Sequence, residues 1–190
     1  MAPLLQYLRK EVLDLRRNKN NGILPYWLGT LLELQVLVLR FNRFHGHTDT
    51  FKTKSKLHFP KLRIIDISYN EFTGLLPANY ISRFEAMMNV DEHELKLKYM
   101  GDMYYKDYVV MILKGHEIEY SRILRVISII DLSSNKFIGE ILKSIGRLNS
   151  LRGLNLSHNN LKGHIPTSLG NLSKLESLDL SSNQLVGEIP

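Results

Sequence analysis

Apolar and polar positions in the last third of the chain follow one pattern, written three times. Between Ile127 and Pro190, apolar residues stand eight, five and three positions before Asn135, Asn159 and Asn183, and a Gly stands four positions after each. The spacing is 24 residues in both intervals (159 − 135 and 183 − 159). Around the two apolar residues nearest each Asn the chain alternates, so one set of side chains points inward and the other outward from a short strand. Such a unit cannot bury its own apolar face, and its copies bury it for one another by stacking.

The same pattern extends backward with local departures. Leu13, Leu15, Asn18, Gly22, Leu24 and Pro25 form a first unit, degraded where Lys10 and Asn20 replace apolar residues. Leu34, Leu37, Leu39, Asn42, Phe44 and Gly46 form a second, whose descending half carries Thr48-Asp49 instead of Ile-Pro. The third is Leu62, Ile65, Ile67, Asn70, Phe72, Gly74, Leu76 and Pro77, and it lies 28 residues on (70 − 42), so four residues are expected to loop out in the polar stretch 50–60. Self-similarity at this period, with Leu at these offsets from an Asn, is the mark of a leucine-rich-repeat solenoid. The expected fold is an α/β-type solenoid, mostly β and coil with little helix. Six stacked units give a parallel sheet with strands about 4.8 Å apart.

Between Asn70 and Asn135 the rhythm breaks for 65 residues, 41 more than one period. The expected organisation is therefore three repeats over 1–77, an insertion over 78–126 and three repeats over 127–190. Within the insertion, Ile81, Phe84, Met87 and Met88 fall at helical spacing. The run from Tyr108 to Leu113, the punctuation Lys114-Gly115-His116 and the alternation from Glu117 to Tyr120 predict a hairpin. Asp91, Glu92, His93 and Glu94 read as a solvated charged face.

The Asn series is expected to form a buried ladder, each amide bonding backbone groups of its own and the adjacent coil. The outward positions are free to differ. Between the two core residues of each strand stand Asp14, Val38, Asp66, Asp131, Asn155 and Asp179, and beside them run Arg16, Arg40, Ser68, Ser133, Ser157 and Ser181. Like charges stacked at strand spacing repel, so the Asp column needs hydrogen-bonding or basic partners. It reads either as a solvated, mutually bonded surface or as a recognition stripe for a cationic or hydroxyl-rich ligand.

Composition narrows the chemistry. A net charge of +6 permits an anionic partner, but the basic residues are scattered, without interleaved aromatics, so nucleic acid is not an expected one. The 190 residues contain no Cys, which excludes disulfides and thiolate chemistry. The N-terminus has too short an apolar run for an export signal, and no uninterrupted apolar stretch of about 18 residues could cross a bilayer. His45 and His47 offer two metal ligands without a third, Glu117 and Glu119 share a strand face without a cleft, and no nucleophile elbow is present. Neither a metal, a cofactor nor an enzymatic activity is expected.

The form Leu156-Ser157-His158-Asn159-Asn160-Leu161-Lys162-Gly163-His164-Ile165-Pro166 resembles the plant extracellular subtype of the repeat. The insertion, with Tyr99-Met100, Tyr104-Tyr105, Lys114 to Tyr120 and Ile123-Leu124, is similar to the island of plant leucine-rich-repeat receptor-like proteins. That resemblance implies a right-handed superhelix with the parallel sheet on its concave face and an additional short strand in each coil. It implies an ectodomain on the extracellular side of the plasma membrane, recognising a protein or peptide ligand in defence or development and acting through a co-receptor kinase. The family's export signal, Cys-bearing caps and membrane anchor are missing, so a fragment or truncated product is expected, tied to the membrane only through a missing anchor.

Candidate contacts are Tyr99, Tyr104, Tyr105 and Tyr108, which could equally pack the insertion onto the solenoid, together with Asp131, Asn155 and Asp179. Two glycosylation sequons begin at Asn155 and Asn171. The alternatives are a secreted repeat-type inhibitor of a wall-degrading enzyme, or a non-signalling truncated decoy.

Overall fold

The computed structural model describes residues 11–48, 59–88, 99–100, 109–113, 116–120 and 123–190. Each repeat contributes two short strands, in chain order β1 (Val12–Asp14) and β2 (Asn21–Gly22), β3 (Val36–Val38) and β4 (Arg43–His47), β5 (Ile64–Asp66) and β6 (Glu71–Leu75). After helices α1 (Ala78–Ile81) and α2 (Glu85–Met88) and a hairpin of β7 (Val109–Leu113) and β8 (His116–Tyr120) come β9 (Ile129–Asp131) and β10 (Lys136–Gly139), β11 (Gly153–Asn155) and β12 (Asn160–Gly163), β13 (Ser177–Asp179) and β14 (Gln184–Leu185). Two six-stranded sheets result, β1-β3-β5-β9-β11-β13 on the concave face and β14-β12-β10-β6-β4-β2 beside it, each parallel. The second sheet is the additional strand that the Gly-x-Ile form implied. The hairpin is antiparallel, pairing Val109 with Tyr120 and Leu113 with His116, so His116 belongs to a strand and not to the turn.

The coils before and after the insertion stack directly. Asp66 pairs with Asp131 across β5 and β9, Ile67 N donates to Asp131 O at 3.0 Å, and Ile129 N donates to Arg63 O at 2.8 Å. The Asn ladder crosses this junction unbroken. Asn135 Nδ2 donates to Ile67 O of the preceding coil (3.0 Å) and to Leu132 and Ser133 carbonyls of its own, while its Oδ1 accepts from Phe72 N (3.1 Å). Asn70, Asn159 and Asn183 repeat this set, so each amide staples two coils. Among the described residues Asn18 bonds only carbonyls of its own coil, Leu15 and Arg16.

Leucines and isoleucines at the inward strand positions form the core, and under the second sheet Phe44, Phe72 and Phe137 stack at 6.2 and 6.3 Å. On the convex side, 3-10 turns at Tyr26–Thr30, Lys143–Arg147 and Thr167–Asn171 follow the descending residues of three coils. In the third coil α1 begins directly after Pro77 and takes that place. Ile81, Phe84 and Met87 are buried there, the Phe84 and Tyr80 rings meet Phe59 edge-on, and Ser150 donates through N and Oγ to Met87 O. The helical spacing in the sequence thus serves the repeat core.

Glycine is required at Gly146 by close approach. A Cβ there would overlap the Ser168 backbone, lying 2.7 Å from its carbonyl carbon, whereas one at Gly170, 24 residues later, meets nothing within 4 Å. Gly146→Ala is expected to lower stability by about 1–3 kcal/mol, the usual size of an overpacking penalty. Gly170→Ala is expected to be neutral or to stabilise by up to about 1 kcal/mol, by reducing unfolded-chain freedom. Urea midpoints of the two variants decide it, and equal midpoints would contradict the packing.

Candidate functional site

The outward side of the concave sheet divides into two halves of different chemistry. On its first four strands the outward side chains include Val36, Val38, Ile64 and Ile129, which form one apolar cluster with Met100 and Ile123 of the insertion, flanked by Val12 and Ile127. The insertion is tied down there by Met100 N donating to Ile123 O (2.8 Å), a bridge between Tyr99 and Leu124, and Arg125 Nε donating to Tyr99 O (3.1 Å). Arg125 also pairs with Glu11 at 3.5 Å. On β11 and β13 the corresponding positions are Gly153 and Ser177, with no apolar surface to hold a cover. Among the described residues the cover therefore stops where the apolar column stops.

This placement corrects one expectation. The outward Asp column is expected to be a solvated surface or a recognition stripe, yet Asp66 and Asp131 are only 2% and 3% exposed, and Val38 is fully buried. The two carboxyls lie side by side on β5 and β9. Each accepts from a Ser two residues on, Ser68 through N (3.0 Å) and Oγ (2.5 Å), Ser133 through N (3.0 Å) and Oγ (2.6 Å). Burial pushes the Asp66 carboxyl up to about 7, and the adjacent Asp131 adds to the rise. Asp131 is raised too, again by burial, against hydrogen bonds from Ser133 and Asn155 and the nearby Arg40 charge.

Beyond the cover the face is open and polar. Asn155 is half-buried, its Oδ1 accepting from Ser157 N (3.0 Å) and Oγ (2.8 Å) and its Nδ2 donating to Asp131 Oδ2 (3.4 Å). Asp179 is half-buried and holds exposed Ser181 in the same way. Burial works to raise Asp179, but bonds from Ser181 and Ser157 and the nearby His158 hold its carboxyl below the usual range. Arg152 and Glu176 form an ion pair at the edge of this strip. The arrangement is a row of fixed acceptors and donors with an anionic centre, suited to binding and without a positioned nucleophile and base.

Tyr99 is 45% exposed at the rim of the cover. Tyr104, Tyr105 and Tyr108 lie outside the described residues, as do Asp91, Glu92, His93 and Glu94. Asn171 is exposed at the end of its 3-10 turn. His45 and His47 sit on β4, with His47 lying over Gly74 of the next coil, and among the described residues no three His, Cys, Asp or Glu side chains are grouped to hold a metal. No helix among them is long and apolar enough to cross a membrane. Of the apolar outward residues, the sequence pattern singles out Val38 but not Val12, Val36, Ile64 or Ile129. Their confinement to four consecutive strands was the available signal for where the insertion docks.

Comparison with known proteins agrees with the geometry. Leucine-rich-repeat family models match residues 125–185 and, separately, 11–31 and 61–81. Receptor-like protein 18 of Arabidopsis thaliana is 48% identical over 143 residues, 74% of this chain and 17% of the relative. Receptor-like protein 33 of the same plant is 49% identical over 150 residues, 78% of this chain and 16% of the relative. The chain thus spans less than a fifth of the length of these curated relatives. Among solved structures, a TDR receptor is 27% identical with a TM-score of 0.65, over 93% of this chain and 23% of that one. The Arabidopsis receptor kinase HAESA, in complex with the peptide hormone IDA and the co-receptor SERK1, is 27% identical with a TM-score of 0.63, over 93% and 22%. With its repeats, its second sheet and an insertion laid on the concave face, the chain belongs to the plant leucine-rich-repeat receptor-like proteins.

Proposed function

We propose that this chain is the ligand-recognition part of a kinase-less receptor at the extracellular side of the plasma membrane, acting through a partner receptor kinase in defence or development. A protein or peptide ligand lies along the open half of the concave face, against Asn155 and Asp179, with Asp131 at the inner margin. Tyr99, Tyr104, Tyr105 and Tyr108 of the insertion contact it from the covered side, Tyr offering area and a polar tip at modest entropic cost. The observation that carries this reading is the uncovered polar strip from Asn155 to Ser181 beside a half that the chain occupies itself. HAESA, a structural relative, is described as bound to a peptide hormone and a co-receptor, which supports the general mode. Of the two sequons, Asn171 is the better glycan acceptor, since the Asn155 amide is engaged on the recognition face.

A displayed random-peptide library, panned on the chain, tests the assignment. Enriched peptides are expected to bind at least about tenfold more weakly to Asn155→Lys and Asp179→Lys, the loss expected at central contact residues. They are expected to bind unchanged to Lys174→Glu, outside the strip. Peptides indifferent to both concave substitutions, in folded protein, would dismiss the site.

A further inference from the structure

The residue immediately before each concave strand belongs to a column of its own, namely Glu11, Gln35, Arg63, Ser128, Arg152 and Glu176. Its backbone joins the coils, since Gln35 N donates to Glu11 O (2.7 Å), Arg63 N to Gln35 O (2.8 Å), Ile129 N to Arg63 O (2.8 Å) and Arg152 N to Ser128 O (2.9 Å). The column runs along the entry edge of the concave sheet, past the cover and on to the open strip.

The charged members of this column are matched, with one exception. Arg152 pairs with Glu176 of the next coil, and Glu11 is met at 3.5 Å by Arg125, which comes from the end of the insertion. Arg63 is different. Among the described residues its guanidinium makes no ion pair, its Nη1 is buried without a hydrogen-bond partner, and the charge acting on it is a second arginine, Arg125. Burial first and Arg125 second hold the Arg63 guanidinium below its usual range. Ser128, the next member of the column, is fully buried, and its Oγ lacks a partner as well. Two buried donors without acceptors thus adjoin one junction, where coil three meets coil four and the insertion returns. Buried polar groups in native chains are almost always paired, and a cation buried beside a like charge is costly until an anion joins it.

We propose that Arg63 and Arg125 form an oxyanion subsite that receives a carboxylate of the bound peptide, a reading that rests on the ligand assignment above. Arg125 is held by its bonds to Tyr99 O and Glu11 and supplies a fixed charge, while Arg63 supplies the unspent donor. A guanidinium presents its N–H groups in a planar fork that matches the two oxygens of a carboxylate. Asp179 stands three coils further on, so the concave face is bipolar, positive where the insertion returns and negative at the last coil. The ligand that fits is an extended peptide with an acidic side chain at the insertion end and a basic one at Asp179. Three strand spacings make about 14 Å, which an extended chain covers in about four residues. A polyanion is disfavoured, because Glu176 and Asp179 would oppose it along the same face.

The test uses the intact chain and peptides selected on it from a displayed random library, resynthesised with uncharged termini. Expected are peptides in which Asp or Glu stands about four residues from Lys or Arg. Replacing that acidic residue by its amide is expected to weaken binding to the parent chain about tenfold or more and to leave binding to Arg63→Gln unchanged, a coupling that a merely structural arginine would not show. Arg63→Lys, which keeps the charge without the fork, is expected to fall between the two. Circular dichroism establishes that each variant is folded. Peptides that require Asn155 and Asp179 but carry no acidic residue would overturn the subsite and leave the ligand assignment standing, and additive losses from the amide peptide and Arg63→Gln would overturn it too. Peptides whose acidic residue is coupled to Arg63 but which ignore Asn155 and Asp179 would support the subsite and dismiss the strip.

Discussion

Asn135→Ala is expected to destabilise the chain by about 3–5 kcal/mol, whereas Asn18→Ala is expected to cost less than about 1 kcal/mol. The difference follows from what each amide holds. Asn135 is 8% exposed and serves the backbone on both sides of the insertion, donating to Ile67, Leu132 and Ser133 carbonyls and accepting from Phe72 N. Alanine leaves several of these buried groups without a partner, each at about 1–3 kcal/mol, and no water replaces the lost bonds at such depth. The Asn18 side chain is exposed and, among the described residues, bonds only within its own coil. Urea titration reads the result as a shift of midpoint at constant slope. A difference below about 1 kcal/mol between the two variants would mean that the ladder does not join the coils.

The second large effect is a pH dependence centred on Asp66. Its carboxyl is raised from an ordinary 3.8 to about 7 in the folded chain, by burial first and by Asp131 second. A folded-state pKa above the unfolded value means that the native state holds the extra proton. The contribution is therefore complete below about pH 4 and is lost as pH rises through about 7, where a charge must form in a buried position beside Asp131. Asp66→Asn removes that titration while keeping the geometry. Coil five already carries the substitution, for Asn155 holds Ser157 through the same pair of bonds that Asp66 makes to Ser68. The stability difference between Asp66→Asn and the parent chain is expected to be small at pH 4–5 and to grow in favour of the variant up to pH 8. A difference independent of pH would contradict the buried carboxyl pair.

The repeat was legible because its constraints are local and recur. Leu, Asn and Gly at fixed offsets each answer to one coil and its neighbour, so the strand, the ladder and the turn could be read from a window of 24 residues. The second sheet followed from the same windows, through the resemblance to the Gly-x-Ile subtype. Burial of Asp66 and Asp131 was not legible in this way. Period-2 alternation says which side a residue faces, but not whether that side meets water, and on this sheet residues far along the chain, Met100 and Ile123, pack against the outward Val36, Val38, Ile64 and Ile129. The contact of Phe41 with Tyr69 escaped for a related reason. Arg17, Phe41 and Tyr69 stand in one column and Arg40 in the next, and only three-dimensional packing brings the two rings and two guanidiniums together.

The buried carboxyl pair depends on coil three resting directly on coil four across the insertion. That junction places Asp131 beside Asp66. Cross-linking tests it most directly, because the chain has no cysteine of its own and Glu71 and Lys136 are exposed on β6 and β10, joined by a 3.1 Å ion pair. In the double variant Glu71→Cys and Lys136→Cys, a short bifunctional thiol reagent is expected to form one intramolecular link, found by mass spectrometry between the two substituted positions and lost in urea. Two freely reactive thiols with no link between them under native conditions would contradict the stacking.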